Sequence, residues 1–301
     1  MKKHLLNIGF LVFSLIIFNS CDEPGPTELL PDNISVDDEV AIEVLSPNPD
    51  QFVYANGYDS TGITQPTPTS ASVITVNDIK NTIENFTFES AFHAAVFFDK
   101  QAPIKNNDGK IIGYKTRLIG KTFFNGDSAR LAPYVIRYKE NGMIKDTLAG
   151  FLHLLRINQR RMRNSNNDFI RFRLNPFIGQ PIDFNILTPP EVTGNVKISG
   201  TPGSADFGID LTWNSADAPI EIIIGGVLKT RDETFPLYRL RTKDDGHLRI
   251  PGRLLREIPF DQFKQLVITF IRRYRTNITS NSLNDNFVTA NNIHNIRLPL
   301  P

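Results

Sequence analysis

Apolar and polar residues alternate along most of this chain, and the dominant period is two, the repeat of a strand with one buried face. Tyr134, Ile136 and Tyr138 alternate with Val135, Arg137 and Lys139. Ile209, Leu211 and Trp213 share one face of a later segment, Ile220, Ile222 and Ile224 one face of the next, and Leu266, Ile268 and Phe270 read as a central strand. Turn residues punctuate these runs at Asn107-Asp108-Gly109, Asn125-Gly126-Asp127, Glu140-Asn141-Gly142 and Asp244-Asp245-Gly246. Asn-Gly supplies the positive φ angles that a two-residue hairpin requires. Strands separated by such turns at short, regular spacing predict a sandwich or barrel. One short helical turn is predicted after Pro251, with Leu254, Leu255 and Ile258 pointing inward. The expected class is all-β.

Thr188-Pro189-Pro190-Glu191 sets two prolines between apolar segments and is the clearest domain boundary. It gives an N-terminal β-sandwich over residues 39–187 and a C-terminal one over residues 188–301. The C-terminal part combines about seven strands with one buried tryptophan in roughly 110 residues. That pattern resembles an immunoglobulin or fibronectin type III sandwich, and the resemblance implies two facing antiparallel sheets around Trp213. Val40, Ile42 and Val44 predict a short early strand, and Ser60 to Ser72 a long Thr-, Ser- and Pro-rich loop. Whether residues 39–72 belong to the first sandwich is left open by the pattern.

The start of the chain has a different logic. Lys2 and Lys3 precede an apolar run from Leu5 to Phe18, broken by Asn7, Gly9 and Ser14. A permanent helix across a hydrocarbon core of ~30 Å needs about 20 residues, so the run fits a secretory signal peptide over residues 1–20 instead. It ends in Phe18-Asn19-Ser20-Cys21, which resembles a bacterial lipobox, with Phe18 where leucine is usual. The resemblance implies fatty acid on Cys21 and a membrane anchor; an ordinary cleaved signal is the alternative. Residues 21–38 form an acidic tether that opens Asp22-Glu23-Pro24-Gly25-Pro26, with nothing to bury. Acids directly after the lipidated cysteine resemble the surface-export signal of Bacteroidota lipoproteins. That implies an outer-membrane protein at the cell surface, with a plain spacer and a periplasm-facing protein as alternatives.

Composition removes several kinds of chemistry. Cys21 is the single cysteine, so once it carries lipid no thiol remains for a disulfide, a zinc-thiolate site or a nucleophile. His93, His153, His247 and His294 stand far apart in sequence, without the spacing of a zinc protease. Asn106-Asn107-Asp108-Gly109 would put Ile104 at the first position of a calcium loop. Gly203-Ser204-Ala205-Asp206 lacks the spacing of a serine nucleophile elbow. No catalytic residue, metal or cofactor is expected. A carboxylate pair for glycoside hydrolysis depends only on proximity in space, so a surface-polysaccharide hydrolase remains the second reading.

Charge changes the picture most. No lysine or arginine occurs between His4 and Ile79, where eleven acids lie; from Lys80 onward 31 basic residues face 21 acidic ones. Arg156, Arg160, Arg161, Arg163, Arg171 and Arg173 cluster around one hairpin tip, and Arg272, Arg273 and Arg275 form a second group. Guanidinium groups bind phosphate and carboxylate in two-pronged fashion, so these arginines are the candidate polyanion-binding residues. Lipopolysaccharide, acidic glycans and other envelope proteins are the partners expected, and nucleic acid is not. Two alternatives are a solvated hairpin edge and an acidic front lying against the basic body. Asp59-Ser60-Thr61, Asp127-Ser128-Ala129 and Asp146-Thr147-Leu148 are similar to a short Bacteroidota O-glycosylation signal, which implies modification of Ser60, Ser128 and Thr147. The expected role is non-catalytic: binding, adhesion or service to an envelope complex.

Overall fold

Strands and turns dominate the computed structural model, which describes residues 40–45 and 70–300 apart from 142, 159–168, 202–203, 205, 217, 230–233, 257, 259 and 281–282. In chain order the first ten strands are β1 (Ala41–Val44), β2 (Ser72–Ile83), β3 (Phe86–Lys105), β4 (Ile111–Thr116), β5 (Gly120–Phe124), β6 (Asp127–Ser128), β7 (Arg130–Glu140), β8 (Met143–Asn158), β9 (Phe169–Pro176) and β10 (Ile182–Leu187). The rest are β11 (Gly194–Ser199), β12 (Gly208–Trp213), β13 (Ile220–Leu228), β14 (Thr234–Thr242), β15 (His247–Pro251), β16 (Phe263–Ser280) and β17 (Leu283–Pro299). A single helical turn, α1 (Gly252–Leu255), follows Pro251 where the sequence predicts it, and it buries Leu255. The turns at Asn125-Gly126 and Asn141 use the positive φ angles expected of them. The protein is all-β.

One long sheet has the order β1-β14-β13-β16-β17-β2-β3-β8-β7, with β4 added to the far half of β3. Every pairing in it is antiparallel except β17 with β2, which is parallel. Two smaller sheets lie over one face of it. The first, β10-β9-β5-β6, contributes Phe124, Ile170, Phe172, Leu174, Ile182 and Ile186 to a core shared with Ile74, Val76, Ala95 and Phe97 of the long sheet. The second, β11-β12-β15, buries Ile209, Leu211, Trp213, Leu248 and Ile250 against Ile222, Ile224, Ile268 and Phe270. These are the inward sets that the period-two alternation picks out.

The boundary expected near residue 188 separates the two covering sheets, because β10 ends at Leu187 and β11 begins at Gly194. It does not cut the long sheet. β17 runs beside β2 in register from Asn286↔Ser72 to Arg297↔Ile83. Val288 and Ala290 of β17 belong to the first core, and Ile296 of the same strand to the second. The two expected sandwiches are therefore two lobes on a shared sheet. β1 pairs with β14 at the opposite end of that sheet from β7, so residues 41–44 belong with the C-terminal lobe. Glu39–Pro301 is a compact unit by itself.

The seam between β2 and β17 carries a row of polar pairs. Ser72 Oγ donates to Asn286 Oδ1 (2.5 Å), Asn291 Nδ2 to Asn77 Oδ1 (2.6 Å) and Asn295 Nδ2 to Asn81 Oδ1 (3.0 Å). Thr269 Oγ1 and Arg273 Nε extend the row into β16, at 2.8 Å from Asn295 Oδ1 and 2.6 Å from Asn291 Oδ1. Glycine is required where a covering sheet meets the long one: a Cβ at Gly194 of β11 would lie 2.3 Å from Phe270 Cε2 of β16.

Because β17 completes both cores, the lobes should unfold together. Phe172→Ala and Phe270→Ala each remove a fully buried ring and should cost about 3–5 kcal/mol. Both should lower the same single thermal transition in calorimetry; two resolved transitions, each moved by one variant only, would show that the shared sheet does not couple the lobes.

Candidate functional site: dispersed arginines and the joint between the lobes

Among the described residues, the arginines grouped by sequence do not all share a surface. Arg171 and Arg173 do lie side by side on the outer face of β9, because Ile170, Phe172 and Leu174 fill the core beneath. Arg171 grips Asp183 with two prongs, Nε at 2.8 Å from Oδ1 and Nη2 at 2.5 Å from Oδ2, and this hydrogen-bonded guanidinium holds the Asp183 carboxyl below its usual range. Arg173 Nε donates to Asn175 Oδ1 at 2.9 Å. Arg156 is exposed on β8, but Leu155 beside it points into the same core. Alternation therefore sends Arg156 out through the far side of the long sheet, so it and Arg171 sit on opposite outer faces of a two-layer lobe. Arg160, Arg161 and Arg163 lie outside the described residues, as do Cys21 and Ser60.

The second arginine group is mostly internal, which corrects the expectation of a binding cluster there. Arg272 is fully buried. Its Nε and Nη2 donate to Asp244 Oδ2 and Oδ1 at 3.1 Å each, its Nη1 to the carbonyl of Glu191 at 2.6 Å, and its Nη2 also to the carbonyl of Asn214. Arg273 is 4% exposed and hydrogen-bonds Asn291 and, at 3.3 Å, Glu221 Oε2. Arg275 is half exposed, 4.0 Å from Glu221 Oε1. Neighbours on a strand face opposite ways, so Arg272 enters the joint between the lobes while Arg273 and Arg275 point to the other face.

That joint is the most densely bonded polar region described. Asp244 also accepts from Trp213 Nε1 at 2.6 Å and from the Ala216 N–H at 3.0 Å. Burial alone would push its carboxyl up; the hydrogen bonds from Arg272, Trp213 and Ala216 outweigh that and hold it below the usual carboxylate range. The segment joining β10 to β11 is fastened across the sheet at every residue from Glu191 to Gly194. Lys80 Nζ reaches Glu191 Oε1 (2.9 Å) and Thr193 Oγ1 (3.0 Å), the Val192 N–H reaches Asn292 Oδ1 (2.9 Å), and the Thr193 N–H reaches Asn214 Oδ1 (2.6 Å). The Gly194 N–H donates to His294 Nδ1 at 2.9 Å, so the ring proton sits on Nε2, which donates to Thr82 Oγ1 at 2.9 Å. Burial, then the Lys80 charge, lowers His294 to about 4.

The other groups with acid–base potential are similarly placed. Burial lowers His93 to about 4; its ring stacks on Phe124 at 5.3 Å, and its Nδ1 has no hydrogen-bond partner among the described residues. Burial also lowers His153, whose ring meets Phe97 edge-on. His247 is exposed on β15. Asp78, opposite Asn292 on the seam, is pushed up to about 6 by burial and then by the charge of Glu191. Glu191 itself is held below its usual range by the hydrogen bond from Lys80. Among the described residues no three His, Cys, Asp or Glu side chains gather to hold a metal, and no helix is long and apolar enough to cross a membrane. A shallow pocket of about 340 Å³ between β11 and the end of β17 is lined by Val196, Ile198, Gly200, Leu298, Pro299 and Leu300, with no polar side chain to orient a reaction. Ser128 is exposed on β6, and Thr147 is half-buried on β8 opposite Ile136.

Two predictions follow from the joint and its buried groups. Arg272→Met leaves the Asp244 charge buried without its counter-ion and should cost about 3–5 kcal/mol in urea unfolding, whereas Arg272→Met with Asp244→Leu should recover part of that loss. His93 has a folded value of about 4, below its ordinary 6.5, so its contribution is complete above pH 6.5 and is lost as pH falls toward 4. Asp78, raised from 3.8 to about 6, runs the other way and offsets one histidine. His93→Leu should therefore make stability fall less, by roughly 2 kcal/mol, between about pH 7 and about pH 5; an unchanged slope would mean that His93 takes up a proton in the fold.

No protein-family model and no curated protein matches the chain. Among solved structures it is similar to the yeast delta-COP-I μ-homology domain complexed with a Dsl1 WxWxV peptide, at 9% identity over 77% of this chain and 97% of that one. The TM-score is 0.25, and a likeness that distant carries no argument about this chain.

Proposed function

We propose that this is a lipid-anchored envelope protein whose two lobes bind rather than catalyse. The observation that carries the reading is the start of the chain: a charged opening, an apolar run too short to span a bilayer, and the only cysteine at position 21, followed by acids. Lipid on Cys21 anchors the protein to the outer membrane, residues 21–38 set its reach, and the lobes face outward. The C-terminal lobe is read as a fibronectin III-like sandwich. Seven strands, β11 to β17, with three facing four, support that reading, as does Trp213 buried on Phe270 at 6.0 Å between ring centres. For polyanion binding, Arg171 and Arg173 on the open face of β9 are the described members of the hairpin cluster that share a face. An accessory role in an envelope complex uses the same exposed face.

Protease treatment of intact cells, with and without prior permeabilisation, tests the arrangement. Loss of the C-terminal lobe from intact cells is the expected result. Loss only after permeabilisation would turn the protein to the periplasm and make it a scaffold for other envelope proteins. A fatty-acid probe that labels Cys21→Ala as strongly as the parent chain would sink the anchor itself.

A further inference from the structure

One end of the N-terminal lobe, at the β9–β10 turn, is built unlike the rest of the described surface. The β9–β10 hairpin turns there through Phe177, Ile178 and Gly179, the last at φ 105°. Phe177 is 69% exposed and Ile178 92% exposed, the most exposed large apolar side chain described. The hairpin is held to the connector between β4 and β5, since the Phe177 N–H donates to the Ile119 carbonyl at 2.9 Å. Leu118 on that connector adds a third apolar side chain, 41% exposed. Gly120 fixes this approach, because a Cβ there would collide with the backbone of Asn175.

A basic collar accompanies these residues along the chain. Lys115, Arg117 and Lys121 flank Leu118 and are all exposed. From Lys110 to Gly126 the chain has four basic residues and no acid, and β9 adds Arg173 beside Arg171, whose charge is paired with Asp183. Asp99, next to the residue that pairs with Thr116, accepts the Gln101 N–H at 3.0 Å. Apolar tips on a protruding hairpin offer no concavity for a partner's side chain. They suit a medium that closes around them, and the collar suits anionic headgroups at the depth where the tips enter.

We infer that this pole is a docking surface for a lipid bilayer, with Leu118, Phe177 and Ile178 entering the boundary between headgroups and acyl chains and Arg117 and Lys121 contacting anionic headgroups. It deepens the envelope reading by naming the partner, and it stands on the fold of residues 39–301 without needing lipid at Cys21.

The test uses the compact unit Glu39–Pro301, which lacks the cysteine, so a failure of lipidation cannot affect it. Flotation with vesicles of phosphatidylglycerol and phosphatidylethanolamine is compared with flotation on phosphatidylcholine alone. The parent unit should float with the anionic vesicles. Phe177→Ser with Ile178→Ser should weaken this about tenfold or more, and Arg117→Gln with Lys121→Gln should weaken it comparably while removing most of its salt dependence. Phe86→Ser, at an apolar side chain just as exposed but on the β2–β3 turn, should change nothing. Thermal unfolding should be unaltered in all of them, because the replaced side chains are exposed. A parent unit that stays at the bottom of the gradient overturns the inference, and so does a Phe177→Ser, Ile178→Ser variant that floats as well as the parent.

Discussion

The fold depends on β17 lying parallel to β2. The two strands are 214 residues apart in sequence where their asparagines meet, so the pairing closes nearly the whole compact unit into one loop. Its register is set by what a slip would do. Moving β17 by one residue would put Thr289 and Asn291, or Phe287 and Thr289, where Val288 and Ala290 now fill the first core, and would turn Val288 and Ala290 away from it. Buried amides need partners, and an unpartnered one costs about 1–3 kcal/mol. The pairs Asn77 with Asn291 and Asn81 with Asn295 exist only in the observed register. Polar matching on one face and hydrophobic burial on the other specify the same alignment.

The joint between the lobes depends in turn on that alignment. Asn292 and His294 fall on the inner face of β17, beside Asp78 and Lys80 of β2, and from there they fasten the backbone of residues 192 and 194. Arg272 completes the arrangement from β16 by joining Asp244 of the second lobe to the carbonyl of Glu191 in the connector. Polar groups weighed as chemistry from sequence, His294 and Arg272 among them, are used here to hold layers together.

The strands of both lobes were legible because alternation and turn residues are local. Trp213, Ile220 to Ile224, and Leu266 to Phe270 are buried as their spacing indicates, and the helical turn follows Pro251. What local pattern does not encode is which strands become neighbours. Two prolines at 189 and 190 read as a break between domains, and they do separate the covering sheets; nothing near them signals that a strand about 100 residues later returns to β2. The described members of the arginine clusters come apart for a related reason. Closeness in sequence does not survive alternation on a strand, so Arg272 and Arg273 face opposite ways and Arg156 leaves the lobe on the side away from Arg171. The seam asparagines carried a faint signal, a run of Asn-containing positions at both ends of the chain, that becomes meaningful only when the strands are placed side by side.

The position of β17 also governs the order in which the protein can be made. The first lobe takes Val288 and Ala290 from β17, so its sheet stays open along β2 until β17 has been synthesised. A polypeptide built this way cannot close its N-terminal half behind the ribosome, and long-range pairing of this kind forms slowly.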